Sequence, residues 1–175
     1  MWKDIPGWFE LIQGDILQLF CKDKIYLEVG SYKGRSTACA AEVAKEVHAV
    51  DTFRAKNNGQ DQSDQLTTLD EFLSNTAEYK NITHYIGESK DTSKKFEDNS
   101  IDIIFIDGMH DNKSVVTDKE CWWPKLKVDG YMIFHDYSPS CQVKSAVDNM
   151  FLKDEVMIKS CLAWVKKESR CQKSE

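Results

Sequence analysis

The fold is decided at residues 28–36, which read Glu28-Val29-Gly30-Ser31-Tyr32-Lys33-Gly34-Arg35-Ser36. An apolar strand pattern ends within this stretch and a helical pattern begins, so it predicts a strand-to-helix turn. Gly30 and Gly34 allow the backbone to turn tightly and to approach a ligand closely. The N-terminus of the following helix favours a carboxylate or a phosphate. In an α/β sheet, a nucleotide-like ligand binds at such a turn.

Two common nucleotide-binding motifs do not fit this stretch. The dinucleotide pattern G-x-G-x-x-G fails because Tyr32 occupies the position of the second glycine, and the P-loop pattern G-x-x-x-x-G-K-[ST] is absent. NAD and P-loop folds are therefore not predicted. On this motif alone, an ordinary turn with Ser36 as a helix cap stays open as the alternative.

On either side of the turn, short apolar runs alternate with longer stretches of helical periodicity, which is typical of βαβ units. Strands are predicted at 24–29, 47–52, 82–86, 101–107, 130–136, 155–160 and 162–168, and helices at 5–20, 36–46, 65–79, 113–126 and 142–151. The last two strands follow each other almost directly. They must pair antiparallel, because a parallel pair needs a long crossover.

The expected fold is an α/β Rossmann-like three-layer α/β/α sandwich with a seven-stranded, mostly parallel sheet and one antiparallel strand near an edge. The chain has 175 residues, of which 41% are hydrophobic and 11% aromatic. This size and composition suit one domain over residues 1–175. A polar stretch at 54–64 follows the second strand and is either a lid or binding loop or a plain solvated loop.

Charge and composition exclude several classes of partner. Asp and Glu outnumber Lys and Arg by 29 to 23, and no basic cluster stands out, so nucleic acid is not an expected substrate. The first eight residues lack the basic and apolar regions of a secretory signal, and no apolar run approaches the roughly 20 residues of a membrane span. We expect a cytoplasmic protein without a membrane partner. Its six cysteines show no CxxC or zinc-type spacing and are expected to be reduced, mostly buried thiols.

A second ligand-binding position is predicted at the end of the second strand. Asp51 ends that strand and lies 23 residues beyond Glu28 (51 minus 28). A ribose diol is bound by a carboxylate acceptor at this position of an α/β fold. The alternative is an Asp that merely starts a loop.

Taken together, these runs resemble the class I S-adenosylmethionine (SAM)-dependent methyltransferases, in particular small macrocin-type, cephalosporin-hydroxylase-like and catechol-type members. The resemblance covers nearly the whole chain. Besides residues 28–36 it is carried by Asp51-Thr52-Phe53, Gly87-Glu88-Ser89, Phe105-Ile106-Asp107-Gly108-Met109-His110, Trp123-Pro124-Lys125-Leu126 and Phe134-His135-Asp136-Tyr137. Their order and spacing are more specific than any one motif.

The resemblance implies a SAM site. The methionine part would be surrounded by Gly30, Ser31, Tyr32 and Ser36. Asp51 would hold the ribose, Glu88 and Ser89 would border the adenine, and Asp107 would approach the SAM amino group. Glu28 and Gly34, from the same turn as Gly30, complete the predicted cofactor-binding set.

An acid–histidine group of Asp107, His110, His135 and Asp136 is predicted at the ends of the fourth and fifth strands. Asp107 and Asp136 offer the hard oxygen ligands of Mg²⁺ or Mn²⁺. Metal-using relatives follow the second Asp with Asn or Asp, whereas Tyr137 follows it here, so a third ligand is either missing or moved. His110 is predicted as the general base, and Asp136 is predicted as a second catalytic residue. The alternative role for His110 is stacking or hydrogen bonding near the cofactor.

The sequence thus predicts methyl transfer from SAM to a small molecule, with a hydroxyl oxygen as the acceptor. Two other classes stay open. One is a SAM-binding module without catalysis, and the other is a metal-assisted, hydroxylase-like enzyme on the same scaffold. Neither the identity of the acceptor nor the oligomeric state is specified by the sequence.

Overall fold

The computed structural model describes residues 1–54 and 68–169. Its strands are β1 (Ile25–Val29), β2 (Glu46–Asp51), β3 (Ile82–Ile86), β4 (Ile101–Ile106), β5 (Leu126–Phe134), β6 (Met157–Lys159) and β7 (Leu162–Lys166). They form one sheet with the order β3-β2-β1-β4-β5-β7-β6. The helices are α1 (Leu11–Cys21), α2 (Arg35–Ala41), α3 (Leu69–Thr76), α4 (Ser89–Thr92), α5 (Asn112–Trp122) and α6 (Gln142–Met150), with 3₁₀ turns at Trp2–Asp4 and Ser93–Lys95.

The direction of the strands follows the expected pattern. β1 pairs in parallel with β2 and β4, and the parallel pairing continues to β3 on one side and to β5 on the other. β7 runs antiparallel to both β5 and β6, so it is the reversed strand of the described sheet. The predicted Rossmann-like sandwich, with one antiparallel strand near an edge, is confirmed.

Buried side chains alternate between the two faces of the sheet, as the pleat requires. Along β4, Ile103 and Phe105 pack with α1 and α2 in one cluster, whereas Ile104 and Ile106 pack with α5 and α6 in the other. β1 behaves in the same way, with Tyr26 in the first cluster and Leu27 in the second. The sheet is therefore covered by helices on both faces, which leaves the strand ends as the place for a site.

Several predicted boundaries were wrong for local reasons. α1 begins at Leu11 instead of residue 5, because Pro6 and Gly7 lie in a non-helical segment. α2 ends at Ala41, since residues 46–51 already belong to β2. β5 begins at Leu126, which the sequence assigned to a helix, and α4 was not predicted. The predictions that fall on residues 55–67 and 170–175 lie outside the described residues.

Two features bear on the environment of the protein. Within the described part of the chain, no helix combines the length and apolar character that crossing a membrane requires. The five cysteines in that part carry free thiols. Only Cys21 and Cys39 are buried, whereas Cys121 and Cys141 are half-buried and Cys161 is exposed, so the expectation of mostly buried thiols was wrong. Cys171 lies outside the described residues.

Candidate active site

A cavity of about 900 Å³ opens at the carboxyl ends of β1, β2, β4 and β5. This is the volume of a site that holds a small molecule or cofactor. Most of the predicted site residues line it, namely Gly30, Ser31, Tyr32, Ser36, Asp51, Glu88, Ser89, Asp107, His110 and Asp136. Glu28 and Gly34 do not line it.

The turn after β1 depends on glycine for two different contacts. Gly30 has φ +92°, and a Cβ there would lie 2.1 Å from the Asp107 carbonyl oxygen. Gly34 has φ +89°, and a Cβ there would lie 2.8 Å from Thr76 Cγ2 on α3. L-residues with a Cβ rarely adopt such angles. The glycines therefore let β1 approach the end of β4 and let α2 pack against α3.

Glu28 lies beneath the turn and has no exposed surface. It accepts hydrogen bonds from the Thr37 hydroxyl and, at 3.2 Å, from the Tyr26 hydroxyl. Burial raises the pKa of Glu28 to about 7, although hydroxyl hydrogen bonds from Ser36 and Thr37 lower it. The structure thus assigns this carboxyl to support of the turn and not to the cavity wall.

Asp51 is held by backbone amides on both sides. Tyr32 N donates to Oδ2 at 2.7 Å, and Phe53 N donates to Oδ1 at 2.6 Å. Burial raises the pKa of Asp51, and the backbone N–H groups oppose that shift. An ionised carboxylate has about four acceptor positions, so two bonds leave room for a diol. The carboxylate is therefore fixed in place and still able to accept.

A buried acid on α5 was missed by the sequence analysis. Asp118 is 7% exposed and lines the cavity, where burial raises its pKa to about 6 despite a hydrogen bond from Ser89. Trp122 Nε1 also donates to Ser89 Oγ, at 2.8 Å. The sequence does contain a signal for this residue. Asp118 lies three residues after Val115 and four before Trp122, a spacing that places all three on the buried face of the helix.

The predicted acid–histidine group does come together. His135 Nδ1 lies 3.1 Å from Asp107 Oδ1 and 3.3 Å from Asp136 Oδ2. His110 Nε2 lies 3.3 Å from Asp136 Oδ2 and 3.5 Å from Asp107 Oδ1. Two carboxylates from neighbouring strand ends thus face two imidazoles. We call these four residues the Asp–His cluster.

The charges in the Asp–His cluster stabilise one another. Burial by itself lowers the pKa of His135, but the carboxylates of Asp107 and Asp136 outweigh burial and raise that pKa to about 10. A hydrogen bond to Asp107 is the main cause that raises the pKa of His110. The adjacent His135 lowers the pKa of Asp136. Without another cation, the protonated imidazole of His135 balances part of the carboxylate charge.

The donor atoms of the cluster also fit a divalent cation. Ligand atoms of Asp107, His110 and Asp136 all lie within 4.8 Å of one another. Carboxylate oxygens suit Mg²⁺ and Mn²⁺, and imidazole suits the transition metals. The two predicted metal ligands, Asp107 and Asp136, are therefore placed where one ion could contact both.

The N-terminal segment supplies a cavity wall that the sequence analysis assigned to a helix. Gly7, Trp8 and Phe9 line the cavity, and the Trp8 side chain is largely exposed. Arg35 holds this segment, because its Nε donates to Phe9 O at 2.8 Å and its Nη1 donates to Lys3 O at 2.9 Å. The signal was the helix-breaking Pro6-Gly7 pair.

The strand order, the glycine turn and the acid at the end of β2 define the class I SAM-dependent methyltransferase fold. A family model described as a methyltransferase domain matches residues 27–137. This range begins in β1 and ends just after the Asp–His cluster. The chain belongs to this methyltransferase domain family.

Comparison with individual proteins agrees at the level of the fold. An rRNA methylase from Streptococcus thermophilus superposes with a TM-score of 0.65 at 16% identity, over 90% of this chain and 95% of the other. The O-methyltransferase NovP gives a TM-score of 0.69 at 19% identity, over 90% and 80%. A SAM-dependent O-methyltransferase from Thermotoga maritima gives 0.68 at 12% identity, over 94% and 68%.

One curated protein matches in sequence. It is the uncharacterized protein y4gI of Sinorhizobium fredii, which is 26% identical over 117 residues, or 63% of this chain. The matched region covers only 13% of that protein's length.

Proposed function

We propose that this chain transfers the methyl group of SAM to a hydroxyl oxygen of a small molecule. The observation that carries the proposal is the single cavity into which the turn after β1, Asp51 and the Asp–His cluster all open. One end of this cavity offers the groups that a nucleoside needs, and the other end offers groups that bind and move a proton. A methyl donor and a hydroxyl acceptor would meet between them.

SAM is a substrate of the proposed reaction, and the residues around the cavity suit its parts. Asp51 accepts hydrogen bonds from the ribose hydroxyls, and Glu88 and Ser89 border the adenine. Gly30, Ser31, Tyr32 and Ser36 surround the methionine part, with Asp107 near its amino group. Gly34 and Glu28 act from outside the cavity, because they shape the turn that carries these contacts.

In the proposed step, the acceptor oxygen forms a bond to the methyl carbon as the bond from that carbon to the SAM sulfur breaks. The electron pair of the broken bond stays on sulfur, which becomes a neutral thioether in S-adenosylhomocysteine. The hydroxyl proton passes to His110 Nδ1, the ring nitrogen that does not face the carboxylates, and the carboxylate of Asp136, 3.3 Å from Nε2, stabilises the resulting imidazolium. Alignment of the two reactants supplies much of the rate.

A divalent ion at Asp107 and Asp136 is part of the proposal. When bound there, the ion would lower the pKa of the acceptor hydroxyl. Asp107 and Asp136 would hold it from the ends of β4 and β5. The carboxylates on neighbouring strand ends support this placement.

A small-molecule acceptor is favoured over nucleic acid by charge. The chain carries a net charge of −6, and among the described residues the five acids of the cavity wall outnumber its four Lys and Arg residues. A polyanion would need neutralising Lys and Arg residues along its path. The acidic net charge of the chain therefore favours an acceptor that is not a polyanion.

The proposal is tested by incubating the purified chain with methyl-labelled SAM and either a metabolite extract or total RNA. We expect label in the small-molecule fraction, attached to oxygen, and formation of S-adenosylhomocysteine in equal amount. Label found in RNA, or label attached to a nitrogen atom, would contradict the proposed acceptor, a hydroxyl oxygen of a small molecule. Tight SAM binding without any transfer would instead favour a binding module.

A further inference from the structure

One buried nitrogen atom in the Asp–His cluster has no hydrogen-bond partner. His135 is 4% exposed, and its Nδ1 makes no hydrogen bond within the described residues. Both neighbouring carboxylate oxygens lie at 3.1 and 3.3 Å, but neither contact has the geometry of a hydrogen bond. A buried nitrogen that faces two carboxylate oxygens needs a positive charge between them, so this atom holds either a proton or a bound cation.

The separations in the cluster match those between ligands of one metal ion. Two atoms that each lie about 2.1 Å from an ion are roughly 3.0 Å apart at a right angle and about 3.4 Å apart at the tetrahedral angle. The distances from His135 Nδ1 to Asp107 Oδ1 and Asp136 Oδ2, 3.1 and 3.3 Å, fall between these values. The three atoms can therefore surround a single cation.

Gln13, on α1, fixes the other nitrogen of the same ring. Gln13 Nε2 donates to Ser160 O at 2.8 Å, so the amide is oriented with Oε1 as its acceptor. That oxygen accepts from Glu10 N at 2.8 Å and lies 3.2 Å from His135 Nε2. The imidazole must therefore carry its proton on Nε2, which leaves the Nδ1 lone pair free in the neutral ring.

The residue that follows Asp136 is engaged elsewhere. The Tyr137 hydroxyl donates to Asp148 Oδ1 at 2.6 Å, and Tyr137 N donates to Cys161 O at 2.9 Å. His110 differs from His135 because nearly half of its side chain is exposed, and within the described residues it makes no hydrogen bond that fixes its second nitrogen. His135 is thus the better held imidazole, and His110 the one free to carry a proton.

We propose that His135 Nδ1 is the third protein ligand of a divalent transition-metal ion bound by Asp107 and Asp136, with Gln13 as its positioning residue. The inference deepens the proposed function, on whose metal-assisted step it rests. One imidazole and two carboxylates favour Mn²⁺ or a later transition metal over Mg²⁺, because nitrogen ligands suit the transition metals. The hydrogen bond from Nε2 to Gln13 orients the ring, as outer-sphere partners of metal-bound histidines do.

The direct test uses Mn²⁺ alone, added to the full chain without SAM or acceptor. A coordinated imidazole nitrogen modulates the electron spin echo of Mn²⁺ in pulsed EPR. We expect ¹⁴N modulation in the wild type and its persistence in His110→Ala, which removes the other imidazole of the cluster. Absence of bound Mn²⁺, absence of the modulation, or its loss in His110→Ala would overturn the proposal.

Calorimetric titration with Mn²⁺ and with Mg²⁺ gives a second readout. The wild type should prefer Mn²⁺ by about tenfold or more. His135→Phe, which suits the neighbouring Phe9 and Phe105 rings, should abolish that preference. Gln13→Leu should weaken Mn²⁺ binding roughly 10- to 100-fold.

His48→Phe is the matched control, because His48 is a buried histidine with aromatic neighbours outside the cavity. If Mn²⁺ affinity is unchanged in both His135→Phe and Gln13→Leu, His135 is not a metal ligand. His135 Nδ1 would then carry a proton instead. SAM titrations on the same samples separate the two proposals. If the wild type binds SAM but not Mn²⁺, the third ligand and the metal-assisted step are refuted and methyl transfer without a metal still stands. If the wild type does not bind SAM, the proposed function is refuted.

Discussion

Two carboxyl groups near the cavity have different roles. Asp51 stays at the surface of the cavity because two backbone amides hold it there, while Glu28 is enclosed by hydroxyl groups beneath the turn. Both acids lie at or near the ends of neighbouring strands, yet only Asp51 can reach a ligand. Hydrogen-bond partners, and not position along the strand, separate a binding carboxylate from a supporting one.

The buried Glu28 makes stability depend on pH. Its folded pKa of about 7 exceeds the ordinary value of 4.5, so its stabilising contribution is complete below pH 4.5 and is lost as pH rises through 7. Relative to Glu28→Gln, the wild type should lose up to about 3 kcal/mol of unfolding free energy between pH 4.5 and 7.5. Urea denaturation at several pH values measures this, with Glu97→Gln on the exposed surface as the control. A difference that stays constant with pH would refute the shift.

His110 is the residue on which the chemical step depends. His110→Ala should lower kcat by roughly 10²–10⁴-fold and leave SAM affinity nearly unchanged, because general-base catalysis contributes about that much. Steady-state kinetics with a calorimetric SAM titration check both quantities, and His84→Ala on the exposed surface of β3 is the control. A variant that loses SAM affinity but turns over normally at saturation would make His110 a cofactor contact.

Among the elements, the N-terminal segment before α1 closes one side of the cavity. Arg35, the first residue of α2, contacts this segment. Its guanidinium donates to the carbonyl oxygens of Phe9 and Lys3 and lies 5.5 Å from the Trp2 ring. Such a segment has little regular hydrogen bonding of its own. Its position therefore depends on the buried side chains of Trp2, Ile5 and Phe9 and on the hydrogen bonds from Arg35.

Arg35→Met should release this segment. Loss of the charged hydrogen bonds should raise amide exchange in residues 1–10 by tenfold or more, since each such bond contributes about 1–3 kcal/mol. Hydrogen-exchange mass spectrometry measures the rates, and the strands should keep their protection. Lys80→Met, which removes one exposed bond to the Ala77 carbonyl, is the control. Unchanged exchange in residues 1–10 would show that packing alone holds the segment.

Some strands and helices could be predicted from the sequence and others could not. The central strands, such as β1 and β4, are short apolar runs with clear ends, and the turn at Gly30 follows from local chemistry. The start of α1 was wrong because apolar periodicity was followed through Pro6 and Gly7. The bond between Gln13 and His135 joins residues 122 positions apart, and no local pattern encodes such a pair.

For the whole molecule, the sheet order decides where the cavity forms. β1 has β2 on one side and β4 on the other, so the chain leaves β1 and β4 toward opposite faces and a crevice opens between their ends. The predicted nucleoside residues and the Asp–His cluster lie on neighbouring strands that meet at this crevice. The strand order therefore places the proposed sites of the methyl donor and the acceptor next to each other.

The central claim, that this cavity binds SAM, is tested most directly by titrating SAM into the wild type and Asp51→Ala in a calorimeter. We expect one SAM per chain in the wild type and roughly 5- to 100-fold weaker binding in Asp51→Ala, because hydrogen bonds to a charged acceptor are lost. Asp70→Ala, an exposed acid on α3, should bind as the wild type does. No binding to the wild type, or equal affinity in Asp51→Ala, would contradict the account.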